Sequence, residues 1–235
     1  MQRPKFLDVA VFALGFVILT AGTFAQQAPP ARPAAAPAPQ ATVPPLMWKE
    51  VWKQVIVGGG EATHVTRRVN PQSVTNPQLE LKLYGEHAQT VQVILHEGRQ
   101  DLWTGMSPAP VAMMLRDKNN FADLTGLARL RAIVRTDSLH ILYPAVKLAD
   151  GTLLAGHRGI TTEGNFVTTE VAFNSMRWYR VDPKTITTNT LVANPDLSRV
   201  DEVGFVELMP GGGAGTPGGW TNTSTMELYA KPVPR

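Results

Sequence analysis

The sequence predicts an all-β domain, a two-sheet antiparallel sandwich with few short helices, and three observations carry the prediction. From Met47 onward, short apolar or alternating runs are separated by Gly, Pro, Asn and Asp, the texture of strands and turns. No segment sustains a helical period over three or four turns, so an alternating βαβ architecture is not expected. In Arg129–Thr136, Leu130, Ala132 and Val134 fall on one side of a strand and Arg129, Arg131 and Arg135 on the other, which gives one packed face and one wet face.

Taken in order, residues 1–25 read as a secretory signal: a basic start (Arg3, Lys5), an apolar run from Val9 to Ala21, and small residues Thr23 and Ala25 at the cleavage position. The run is shorter than the roughly 20 apolar residues of a spanning helix and ends in Gln26 and Gln27, so cleavage, with no membrane span left afterwards, is expected over retention as an anchor. Residues 26–46 are almost all Ala, Pro and Gln, a disordered tether that cannot form a core. The domain covers 47–235. Its expected strands are Leu79–Tyr84, Thr90–His96, Val111–Arg116, Arg129–Thr136, Ile141–Leu148, Thr152–His157, Asn165–Phe173, Arg177–Asp182, Glu202–Met209 and Thr225–Lys231. Lys49–Val57 fits either a helical turn or a strand.

Composition narrows the function. There is no cysteine, hence no disulfide, thiolate metal site or lipid-modified cysteine, and an exported chain of this kind must be held by its core. Removing residues 1–25 takes away Arg3, Lys5 and Asp8 and lowers the net charge from +3 to +2. A nearly neutral domain without a basic cluster gives no reason to expect a nucleic-acid partner.

The runs Asp123-Leu124-Thr125-Gly126, Val146–Thr152, Val200–Phe205 and Met226-Glu227-Leu228-Tyr229, read in that order, resemble exported bacterial domains of the galactose-binding-like jelly-roll type, the type of many carbohydrate-binding modules, rather than any enzyme family. The last run stands where that type closes its sandwich, with Ala230 in place of the usual Gly. The resemblance covers roughly Val111 to Lys231 and implies a periplasmic or extracellular domain that binds a polysaccharide or other glycan. It also allows a structural calcium in the polar segment Asp117–Asp123, although the segment lacks the EF-hand pattern, with Ala122 and Ala128 where that loop needs Gly and Glu.

The candidate carbohydrate-binding residues are Trp103, His157, Arg158 and Trp220. Trp103 and Trp220 stand in loop-like sequence, the latter after the glycine-rich Pro210–Gly219, while His157 and Arg158 end a strand. Aromatic rings with a few polar groups at a rim suit a sugar, which presents both an apolar face and hydroxyls. No catalytic or metal-binding residue is assigned. Gly-x-Ser-x-Gly is absent, and His64, His87, His96, His140 and His157 are scattered with no two a helical turn apart. A glycoside hydrolase or lyase remains the alternative. It requires a groove where at least two of Asp201, Glu202, Glu207, His140 and His157 converge. A structural or partner-binding domain, marked by a large apolar patch, is the third reading. Asp201 and Glu202 are expected in water at a strand mouth, and Arg129, Arg131 and Arg135, with Lys147 on a neighbouring strand, as a solvated basic face.

Overall fold

The computed structural model describes residues 42–212 and 218–235; the expected signal, most of the tether and residues 213–217 of the glycine-rich loop lie outside the described residues. Among the described residues sixteen strands form. They are β1 (Leu46–Val51), β2 (Arg67–Arg68), β3 (Leu79–Tyr84), β4 (Gln92–His96), β5 (Arg99–Trp103), β6 (Val111–Asp117), β7 (Asn120–Asp123), β8 (Arg129–Thr136), β9 (Leu142–Leu148), β10 (Leu153–Gly156), β11 (Val167–Ala172), β12 (Trp178–Val181), β13 (Thr188–Val192), β14 (Val200–Glu207), β15 (Thr221–Tyr229) and β16 (Lys231–Pro234). None of the described helices is long and apolar enough to cross a membrane.

Every pairing is antiparallel. One sheet runs β11-β8-β15-β5-β4-β2 with β1 alongside β15, and the other runs β13-β12-β10-β9-β14-β6-β3, with β7 joining β14 and β16 joining β7. This is the two-sheet sandwich expected. β1 begins at Leu46, the last residue assigned to the tether, and makes the first part of the open segment, Lys49–Val51, a strand, while residues 53–57 are not in one.

The main core lies between the sheets. Leu130, Ala132 and Val134 of β8, Met226 and Leu228 of β15, and Val203 and Phe205 of β14 meet there with Trp48, Trp52 and Trp178. Alternation sends the opposite side chains outward, and the outward cations of β8 meet partners. Arg131 and Lys49 meet Glu227, Arg129 meets Glu170, and Arg135 lies 2.6 Å from His96. The expected basic face is therefore largely neutralised. Lys147 does not join it, because β9 belongs to the other sheet.

On the far side of the β9 sheet a second apolar cluster is buried: Ala112, Met114, Ala145, Leu153, Ala155, Val181, Ile186 and Val206. An outer sheet face normally meets water, so something must cover it. The backbone N–H of Gly85, just past β3, donates to Pro183 O, just past β12, at 3.1 Å. β3 and β12 are five strand steps apart in the sheet, about 24 Å if flat. The sheet must therefore curl until the Asp182–Thr187 turn meets its far edge, with Ile186 pressed over the small residues of the trough. Gly85 is needed at that seam: its φ is +116°, and a Cβ there would stand 2.5 Å from Pro110 O.

Candidate functional site

Cross-strand register builds a cleft where this curled face remains open. Tyr143 of β9 lies opposite Val206 of β14, Ala145 opposite Ala155 of β10, and Ala155 opposite Tyr179 of β12. The two tyrosines thus rise on either side of a floor that carries only a methyl group. Beyond Ala155 the chain reaches His157, whose backbone N–H donates to Arg177 O at 2.9 Å while the Arg177 N–H donates to the His157 ring Nδ1 at 3.0 Å. Because Nδ1 accepts, the proton of the neutral imidazole is on Nε2, which is left as a donor. The result is a cleft of about 320 Å³ lined by Tyr143, Ala155, His157, Arg177 and Tyr179, with Thr188 and Leu208 at its margin. Gly159 sets the ring of Tyr143 in place: a Cβ on Gly159 would meet Ile141 and stand 3.1 Å from that ring.

Of the four residues expected at a sugar site, only His157 lies in this cleft. Arg158 is exposed and lines a separate hollow with Pro144 and Glu170. Trp103 is not on a loop. It ends β5 in the other sheet, is 7% exposed, and packs edge-on against Trp220 with ring centroids 6.2 Å apart. β5 was missed because Glu97 and Gly98, both at positive φ, close a two-residue hairpin that the charged sequence around it conceals. The two tryptophans thus pair with each other beside β5 and β15 of one sheet while His157 and Arg158 follow β10 of the other, so the four do not form a single rim. Tyr143, Arg177 and Tyr179 were missed, although each stands in an expected strand. The available signal was the alternation of Tyr143 and Tyr179 with core residues, which places aromatic rings on a face where hydrocarbon is not required.

The acidic and histidine candidates are placed otherwise. His140 and Glu207 do converge, with the imidazole Nδ1 bonded to Glu207 Oε1 and Thr221 Oγ1 donating to Oε2 at 2.9 Å. They are 2% and 0% exposed, so the cluster ties β14 to β15 across the end of the core instead of lining a groove. Glu202 is not in water, as was expected of it, but 2% exposed on the curled face, because the Tyr84 hydroxyl donates to both its oxygens at 2.9 Å and Lys147 lies 3.1 Å away. Burial, opposed by the Lys147 bond and reinforced by Glu202, raises the Tyr84 pKa; for Lys147 the bonds to Tyr84 and Glu202 outweigh desolvation and raise it also. Asp201 is claimed by Arg116 at 3.0 Å and by Arg235.

The polar segment considered for calcium forms the β6–β7 turn. Asp117 Oδ1 accepts from the backbone N–H groups of Asn119 and Asn120, both at 2.8 Å, and Asp123 Oδ1 accepts from Thr125. A carboxylate oxygen already occupied by two N–H donors is poorly disposed to a cation. Among the described residues no group of three or more His, Asp or Glu side chains is placed to hold a metal ion.

No family model and no curated protein matches the chain. Solved structures to which it is similar include the Family 11 carbohydrate-binding module from Clostridium thermocellum in complex with a β-1,3-1,4-mixed-linked tetrasaccharide, at 12% identity over 72% of this chain and 98% of that one, TM-score 0.38. PfGH50B is similar at 9% identity over 66% of this chain, TM-score 0.41, and an exo-β-agarase at 9% over 72%, TM-score 0.38. The chain spans 23% and 25% of the length of the latter two.

Proposed function

We propose that this is an exported, non-catalytic glycan-binding β-sandwich whose ligand lies in the cleft of Tyr143, His157, Arg177 and Tyr179. The observation that carries the reading is the composition of that cleft: two tyrosines across an alanine floor, with an imidazole held by the Arg177 backbone N–H and the Arg177 side chain beside it. Aromatic faces accept the C–H side of a pyranose, and the donors take its hydroxyls. The binding reading is favoured over hydrolysis because the His140–Glu207 pair is sealed in the core, and the buried acid on the curled face is held by Tyr84 and Lys147. Export rests on residues 1–25, and the proline-rich segment after them supplies reach.

The test is a glycan array probed with the purified protein, followed by titration of each hit with Tyr143→Ala and Tyr179→Ala. Truncating an aromatic anchor costs about 2 kcal/mol, so each variant is expected to bind about thirtyfold more weakly while its circular dichroism is unchanged. Glycan binding that both variants retain in full would refute the site, and no binding to any glycan would refute the function. N-terminal sequencing of protein recovered outside the cytoplasm checks export, with a start after Ala25 as the expected result.

A further inference from the structure

Building on the glycan reading above, we propose that the ligand is anionic, a glycan bearing carboxylate or sulfate groups, and that Arg177 is the residue that receives the charge. Arg177 stands at the junction of two clefts, the one just described and a second of about 330 Å³ lined by Trp178, Leu191, Asn174 and Asn194 among others. Neither lining contains an Asp or Glu. Two such hollows on either side of one arginine suit successive units of a chain whose charge falls between them.

Among the cations left without a carboxylate partner, Arg177 is set apart by lining both of these acid-free hollows. Arg116 is paired with Asp201, Arg129 with Glu170, and Arg131 with Glu227. Arg177 has no carboxylate partner among the described residues, although its backbone is bonded in both directions to His157. Asp182, the acid on the turn after β12, accepts from the Lys184 and Thr185 N–H groups, which satisfy it locally. A fixed backbone carrying an exposed guanidinium beside acid-free hollows is organised to receive an anion. The planar fork of arginine donors matches a carboxylate or sulfate with two parallel hydrogen bonds. The His157 Nε2–H adds a donor with no opposing charge.

The experiment titrates the protein with two matched pairs: oligogalacturonate against its methyl ester, and a sulfated galactan oligosaccharide against its desulfated form. At least one charged member is expected to bind tenfold or more tightly than its neutral partner, with the pair that responds identifying the anion. Arg177→Gln should abolish that preference, and Arg177→Lys should retain part of it. Equal affinity for charged and neutral members, lost in Tyr143→Ala, would overturn the anionic proposal while leaving the glycan site standing. A charge preference that Arg177→Gln leaves intact would overturn the assignment of Arg177. Absence of binding to all four would overturn the anionic proposal, while the glycan reading stands or falls on the array.

Discussion

Replacing Asp101 with Asn should make the protein more stable at neutral pH and no more stable in acid. Asp101 sits in the middle of β5, opposite Ile94, and is 0% exposed. Neither carboxylate oxygen has a hydrogen-bond partner. Burial pushes its pKa up from 3.8 to about 6; Ser224, Arg99 and Arg135 oppose the shift, but none closes a bond of acceptable geometry on it. Between about pH 4 and pH 6 the native state therefore holds a proton that the unfolded chain has released. Stability contributed by this group is present below that window and falls as pH rises through it. The gap from 3.8 to about 6 corresponds to about 3 kcal/mol.

Asparagine keeps the shape and removes the charge. The measurement is urea unfolding of both proteins, followed by tryptophan fluorescence, from pH 4 to pH 7.5. The quantity to compare is the stability of the variant minus that of the parent, which cancels every other titrating group. It should move by about 2.5 kcal/mol in favour of the variant across that range, or about 5–10 °C in Tm for a domain of this size. A difference that stays constant within about 0.5 kcal/mol would show that Asp101 keeps an ordinary carboxylate pKa, and the burial argument would fail.

His140→Ala leaves Glu207 buried with only Thr221 to hold it, and should cost about 3–5 kcal/mol in urea unfolding, with much of that loss absent when Glu207→Ala is added. Gly85→Ala places a side chain at φ +116° and against Pro110 O; the seam to Pro183 should part, raising binding of a hydrophobic dye and lowering stability by about 1–3 kcal/mol. Gly159→Ala should push the Tyr143 ring out of position and weaken glycan binding about tenfold with a smaller effect on the unfolding midpoint; affinity equal to the parent protein's would refute the role given to that ring.

The fold was legible wherever alternation was clean. Leu79–Tyr84 and Arg129–Thr136 have the bounds expected, because one apolar face fixes both the period and the register. β13 and β16 were not legible, since their residues are mostly exposed or, in β16, interrupted by proline, and they form only because a neighbouring edge accepts them. Asn-Pro-x-Leu occurs twice in the sequence, at Asn76 and Asn194, and both copies make local turns: Asn76 Oδ1 accepts from Gln78 N at 2.9 Å, and Asp196 Oδ1 accepts from Ser198 N at 2.9 Å. The site was harder to read for a physical reason. Alternation predicts which side chains leave the core but not whether the face they reach is flat or curled. Outward residues on β8 meet water and partner charges, whereas outward residues on β6, β9 and β14 enter a second buried cluster.

That curl also explains why the site stands where it does. Ala112, Ala145, Ala155 and Gly204 are too small to fill a trough by themselves, so Ile186 and Val206 complete the filling along most of its length. Space remains where β9, β10 and β12 pass beyond the reach of the turn, and the residues registered there are Tyr143, His157, Arg177 and Tyr179. Two strands flanking a third can present two aromatic rings with an open floor only if the residue between them lacks bulk, so Ala155 is as necessary to the cleft as the tyrosines. Widening that floor position to Leu would fill the site from beneath, and it would do so without removing a single group that touches the ligand.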